Sequence, residues 1–192
     1  MSSRCRGQRE ESFERLFDAF YRDITAYVAR RIATKDVDDV VAKVFAVAWR
    51  RFERIPEPPD DRLWLFGVAR RCLSDHRRSG KRQLRLQIRL TNESDAAPSP
   101  SYSTDVDPRL ELVLSAMASL APADREALQL VLWEEMTHAQ AATILNCTTN
   151  AFEIRYRRAR NTVKDRVEKG TSESLKATAP NEESTTTKQV PL

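Results

Sequence analysis

Glycine is almost missing from this chain: there are four glycines in 192 residues, about 2% against a usual share of about 7%. A glycine-punctuated β-sandwich or a glycine-loop nucleotide enzyme has little to work with, and helices become the default expectation. Cysteine is equally scarce. Cys5, Cys72 and Cys147 are far apart, odd in number and not arranged as CxxC, so neither a disulfide framework nor a zinc site is supported and reduced thiols are expected. The two histidines, His76 and His138, lie in no ligand spacing with a cysteine. No Walker loop or nucleophile elbow occurs, so no catalytic residue, metal site, cofactor or small-molecule substrate is expected. The acids Asp36, Asp38 and Asp39 read as complements to a helix dipole rather than magnesium ligands. No apolar run approaches the roughly 18 residues of a membrane span, and the charged first ten residues are followed by no apolar segment, so a cytoplasmic protein without membrane insertion is expected.

Charge is what the chain has in quantity, at 31% of residues, yet the net value is only +4. That balance hides two basic blocks. Arg62 to Arg89 holds nine cations and one anion, and Phe152 to Lys169 holds seven cations and three anions. Either block alone could be a solvated helix face; two of them, each closing a helical unit, point to nucleic acid.

Hydrophobic spacing organises the rest. Phe13, Leu16, Phe17, Phe20, Tyr21, Ile24, Tyr27, Val28 and Ile32 recur at three- and four-residue steps, which puts them on one helical face. Val37, Val40, Val41, Val44, Phe45, Ala48, Trp49 and Phe52 repeat the pattern after a cap near Asp36. Pro56, Pro58 and Pro59 end that helix, and Asp60 or Asp61 restarts another bearing Leu63, Phe66, Ala69, Cys72 and Leu73. The expected fold is all-α, with two small helical domains joined by a flexible linker and a helix-turn-helix in the second. The boundaries are a disordered N-terminus over 1–8, a first domain over 9–89, a polar linker over 90–107, a second domain over 108–169 and a disordered tail over 170–192.

The most informative arrangement lies at 137–163. Thr137 and Gln140 have capping-box spacing. Asn146 can adopt the left-handed conformation after a short helix, Cys147 can be the small residue of the turn, and Thr148 or Thr149 can cap the next helix. A short helix, tight turn and long basic helix read as a helix-turn-helix. Phe152, Tyr156, Ala159 and Val163 would face the core. Thr149, Asn150, Glu153, Arg155, Arg157, Arg158 and Arg160 would face duplex DNA, with Asn150, Glu153 and Arg155 the candidate base readers and the later arginines on phosphate. The competing reading is a plain helical hairpin with a charged outer face.

Over roughly residues 11–169 the sequence resembles the bacterial extracytoplasmic-function (ECF) sigma factors, two-domain promoter-specificity subunits of RNA polymerase. Three stretches carry the resemblance: DVDDVVAKVFAVAWRRF, RLWLFGVARRCLSDHRRSGKR, and LAPADREALQLVLWEEMTHAQAATILNCTTNAFEIRYRRARNTV. It implies a sigma factor that binds core polymerase through Asp36, Asp39, Val40, Lys43 and Phe45, with Phe45 as support. It implies contact with −10 DNA through Arg62, Trp64, Arg70, Arg71, His76, Arg77 and Arg78, and with −35 DNA through the helix-turn-helix residues named above. The implied partners are core polymerase, promoter DNA and an anti-sigma factor; no covalent step is implied. The sequence departs from the family at Ala42 and Lys43, where a Gln-Glu type of pair is usual; a cation there weakens a charge-assisted contact to a basic clamp. Two rival readings are a free-standing helix-turn-helix regulator and a sigma-like interaction module with reduced promoter activity.

Overall fold

The computed structural model describes residues 3–91 and 107–178 of the protein, and these contain seven α-helices and two single turns of 3-10 helix. In chain order the helices are α1 (Ser3–Ala29), α2 (Val37–Arg50), α3 (Asp60–Thr91), α4 (Pro108–Ala118), α5 (Pro122–Leu132), α6 (His138–Leu145) and α7 (Thr149–Thr178). Prolines set several of these limits. Pro108 and Pro122 occupy the first turns of α4 and α5, where a missing N–H costs nothing. Pro56, Pro58 and Pro59 keep the segment between α2 and α3 out of helix. The Asp107 carboxylate accepts from the Arg109 N–H and so closes the start of α4.

The first three helices bury most of the faces that the sequence spacing predicts; Tyr21, expected on the apolar face of α1, is instead 40% exposed at its edge. Ile24, Tyr27 and Val28 of α1, Val40, Val44 and Ala48 of α2, and Leu65, Phe66 and Ala69 of α3 have no exposed surface. Aromatic rings join α1 to α2: Phe13 meets Trp49 edge to face at 5.0 Å, and Phe17 lies tilted against Phe45 at 4.7 Å. In the second unit Met117, Leu120, Leu128 and Ala159 form a small core of their own.

The larger core does not stop at the unit boundary. Ala127, Leu130, Met136, Ala141, Ala142, Ile144, Leu145 and Phe152 belong to the same buried cluster as the residues of α1 to α3, and α6 packs on α3. A polar cluster sits at this junction. The Tyr27 hydroxyl donates to Glu126 Oε1 at 2.8 Å, and Arg31 Nε donates to both Glu126 oxygens at 3.2 and 3.0 Å. Glu134 accepts from Arg31 Nη1 at 3.1 Å and from Arg30 Nη1 at 3.2 and 3.1 Å. The Arg31 and Glu134 side chains are only 1% and 4% exposed, so these charges are held in a medium that screens them poorly. Burial alone would disfavour the charged guanidinium of Arg31, but the attraction of Glu126, Tyr27 and Glu134 outweighs it and raises the pKa. Burial, then the Glu126 charge, pushes the Tyr27 phenol well above its ordinary value and keeps it a donor.

The helices run past three of the boundaries expected from the sequence. The N-terminus is helical from Ser3 rather than disordered through residue 8. Residues 90 and 91 of the linker expected over 90–107 belong to α3, and its residues 92–106 lie outside the described residues. Residues 170–178 of the tail expected over 170–192 belong to α7, and Gly170 sits so near Leu112 of α4 that a Cβ there would come within 2.7 Å of Leu112 Cδ2. Residues 179–192 of that tail lie outside the described residues.

Removing one partner of a buried pair strands the other, so Arg31→Ala should cost about 3 to 5 kcal/mol. Arg30→Ala, which removes a side chain 38% exposed, should cost at most about 1 kcal/mol. Urea titration of both variants, with X-ray scattering to detect parting of the units, checks the difference. Tyr27 supplies a pH test. Its folded pKa is raised, so its contribution is intact below the unfolded phenol value of about 10 and is lost as pH rises beyond it, at up to about 1.4 kcal/mol per pH unit. Wild type should therefore lose stability above pH 10 more steeply than Tyr27→Phe; parallel curves would contradict the assigned burial.

Candidate nucleic-acid interface

The helix-turn-helix is built by local bonds that the sequence announces. The Thr137 hydroxyl accepts from the Gln140 N–H at 3.3 Å while the Gln140 side-chain Oε1 accepts from the Thr137 N–H at 3.0 Å, a complete capping box. After the eight residues of α6, Asn146 ends the helix at φ 55°, ψ 51°, a left-handed position that asparagine tolerates better than most residues. The Cys147 N–H then donates to the Ala142 carbonyl, and the Thr148 hydroxyl accepts from the Ala151 N–H at 3.2 Å to start α7. Beneath α7, Phe152 and Ala159 are 0% and 1% exposed. His138 packs against both Phe152 and Tyr156, at 5.4 and 4.9 Å between ring centroids.

This fixes which side of α7 faces out. Thr149, Asn150, Arg157, Arg158 and Arg160 are exposed, while Glu153 and Arg155 are half-buried. The candidates divide further by their partners. Asp124, at the start of α5, is 3.7 Å from Arg155 Nε and accepts two bonds from Arg158 Nη2 at 2.9 and 3.0 Å. Glu153 lies 3.7 Å from His138 Nδ1. Among the described residues, Arg157 and Arg160 enter no ion pair. The sequence reading missed Asp124 because i, i+4 spacing finds acids only on the same helix, and this one comes from another. It also passed over Ile154, whose side chain is 57% exposed on the outward face; a lone apolar letter in a basic run was the available signal.

The first basic block lies on α3. Arg71, Arg78 and Arg82 are exposed at steps of seven and four residues, which aligns them on one face over about 16 Å. Arg77, also exposed, donates to the Arg31 carbonyl at 3.4 Å. His76 Nε2 is 3.7 Å from Asp36 Oδ2, and Arg78 is 3.9 Å from Asp75. Arg70 is half-buried, and Trp64 packs partly buried against the core, so its ring is not a free stacking surface. Arg62 is the most committed of the set: it donates to the Glu134 carbonyl at 3.1 Å and to Met136 Sδ at 3.5 Å, both in the second unit, and lies 3.7 Å from Asp23. Next to it a cleft of about 950 Å³ opens between α1 and the proline segment, walled by Phe20, Phe52, Ile55, Pro56, Arg15 and Arg62 among others.

On α2 the candidate docking residues split between surface and support. Asp39 and Lys43 are exposed one turn apart, Asp36 is half-buried at the start of the helix, and Val40 and Phe45 are buried with 0% and 6% exposure. Val40 and Phe45 can therefore shape this face but not touch a partner. Among the described residues no group of His, Cys, Asp and Glu could hold a metal ion, and no helix is long and apolar enough to cross a membrane.

A family model described as Sigma-70, region 4 matches residues 110–163, the segment that folds as α4 to the middle of α7. RNA polymerase sigma factor NccH of Alcaligenes xylosoxydans is 30% identical over 135 residues, covering 67% of this chain and 72% of NccH. ECF RNA polymerase sigma factor SigL of Mycobacterium tuberculosis is 31% identical over 121 residues, covering 62% of this chain and 67% of SigL. Among solved structures, CnrH in complex with the cytosolic domain of CnrY aligns at a TM-score of 0.56 and 25% identity, over 88% of this chain and 91% of CnrH. The sigma factor RpoE of Bartonella quintana, solved with the anti-sigma factor NepR, aligns at 0.60 and 19% identity over 82% and 98%, and so shares the fold. With relatives of this identity spanning most of both chains, and with the helix-turn-helix segment matched by its own family model, the chain belongs to the ECF sigma factors, which direct promoter-specific initiation by RNA polymerase.

Proposed function

We propose that this sigma factor divides its work between the two helical units as follows. The outward face of α7 lies in the major groove of the −35 element, with Asn150 toward base edges and Arg157 and Arg160 on phosphate. The exposed stripe Arg71, Arg78, Arg82 follows a −10 strand, and the cleft between α1 and the proline segment receives an unstacked base. The exposed face of α2, with Asp39 and Lys43, meets core polymerase. The chemistry belongs to the polymerase and no covalent step to this chain, which acts in the cytoplasm where the polymerase works. The observation that carries this reading is the outward face of α7, held in register by the capping box, the left-handed Asn146 and the buried Phe152, and bearing Arg157 and Arg160, which enter no ion pair among the described residues. An anti-sigma factor is a further expected partner, since the solved relatives CnrH and the Bartonella quintana RpoE were captured with CnrY and NepR. Abortive initiation by core polymerase from a heteroduplex promoter library, with and without the chain, tests the function; initiation independent of the chain would refute it and revive the free-standing regulator.

The docked arrangement is not the promoter-bound one in this reading. Elements centred 25 base pairs apart are separated by about 85 Å of duplex at 3.4 Å per pair. Arg62 touches Met136, and only α6, eight residues and about 12 Å long, separates Met136 from the turn that leads into α7. The units must part to reach both elements, and Arg62 is released as they do. Glu134→Ala, which removes the carboxylate that Arg30 and Arg31 share, should raise chain-dependent initiation severalfold at subsaturating concentration; a fall in initiation would mean that the docked form is the active one.

Lys43 tests the polymerase face. It stands exposed where the family places an anion, so Lys43→Glu should tighten binding to core polymerase severalfold, an exposed pair being worth about 1 kcal/mol at most. The gain should shrink at high salt. A titration in which Lys43→Glu binds no better would show that α2 presents a different face.

A further inference from the structure

Ile154 is the most exposed of the large apolar side chains among the described residues, at 57%, and it occupies the second turn of the recognition helix. A single apolar residue in water is ordinary on a protein surface. Its surroundings are not. Asn150 lies one turn before it, Arg157 and Arg158 one turn after, and the neighbouring Ala151 is also exposed, so the side chain stands in the middle of a face otherwise equipped for a polyanion. Phe152, Tyr156 and Ala159 fill the core side of α7, which leaves Ile154 no route inward. Any ligand that meets Arg157 and Arg160 must cover Ile154 at the same time.

We propose that Ile154 is a specificity-determining residue that reads the C5-methyl of one thymine in the −35 element, an inference that rests on the reading of α7 as the −35 helix. In the major groove each base edge offers hydrogen-bond donors and acceptors, and thymine alone adds an exposed methyl group. Ile154 has no polar atom with which to use the former. A polar edge beneath it would be desolvated without a partner, which is costly, whereas a methyl gains by leaving water. Ala151 one turn earlier has a side chain small enough to let the backbone approach the groove floor, bringing a branched aliphatic chain into contact. Ile154 thus both favours thymine at one position and disfavours the polar edges of guanine and cytosine there.

The test removes the methyl and nothing else. Duplexes carrying a −35 element selected by the full chain with core polymerase are remade with deoxyuridine in place of each thymine in turn, and affinity is measured for wild type, Ile154→Ala and Ile154→Val. Wild type should lose about fourfold at one thymine, equivalent to about 0.8 kcal/mol for one buried carbon. Ile154→Ala should bind the thymine duplex more weakly and no longer distinguish deoxyuridine at that position, with the salt dependence of binding unchanged because no phosphate contact is lost. Ile154→Val should keep part of the discrimination. The proposal is overturned if no thymine shows the wild-type loss, if the selected element contains no thymine, or if the discrimination survives in Ile154→Ala. Failure to select any element overturns the −35 reading itself and is distinguishable from these. Since the side chain is exposed, Ile154→Ala should melt as wild type does, which circular dichroism checks.

Discussion

The buried guanidinium of Arg31 constrains more of this molecule than any other group. It comes from just beyond the C-terminal end of α1, yet both of its carboxylate partners, Glu126 and Glu134, belong to the second unit. A charge that is 1% exposed has no water to fall back on, so the second unit must present its carboxylates where Arg31 can meet them. Once α5 and the turn after it are placed, α6 falls against α3 and the direction of α7 follows. The same turn holds Glu135 at a positive φ of 54°, a conformation that costs a non-glycine residue about 1 to 2 kcal/mol and that accompanies the inward course of Glu134. Charged docking of this kind is specific, because a buried ion is satisfied only by a partner placed to meet it.

The basic blocks look uniform as strings of letters and are not uniform in space. Arg62 and Arg77 are bonded to backbone oxygens of the second unit and of the α1–α2 connection, while Arg155 and Arg158 share Asp124. Those contacts fix helices relative to one another. Arg71, Arg157 and Arg160 extend from the surface instead and enter no ion pair among the described residues, and only such side chains can neutralise phosphate without first breaking a protein contact. An ion pair with Asp124 also orients what it holds: a guanidinium paired with a carboxylate reaches DNA only in the direction the carboxylate leaves open. Cations near nucleic acid thus serve two ends, and the acidic partner decides which.

Much of the local structure was legible in the sequence because it depends on neighbours in the chain. The three- and four-residue spacing of Ile24, Tyr27 and Val28 and of Val40, Val44 and Ala48 places them on single helix faces, and these are the faces that are buried. Thr137, Gln140 and Asn146 dictate the start and end of α6 through bonds and dihedral angles confined to a few residues. The family resemblance rested on the same local patterns, and the all-α fold followed from them. What only the tertiary structure decided lies across the chain. Glu126 is 99 residues from Tyr27 and 95 from Arg31, so no periodicity could pair them, whereas the folded chain brings all three within hydrogen-bond distance. Asp124 belongs to a different helix from the arginines it holds, and Ile154 is significant only because packing of Phe152 beneath α7 turns it outward. Burial, long-range ion pairing and the absence of a local partner are properties of the folded surface, and a linear pattern contains the residues without the distances that give them these roles.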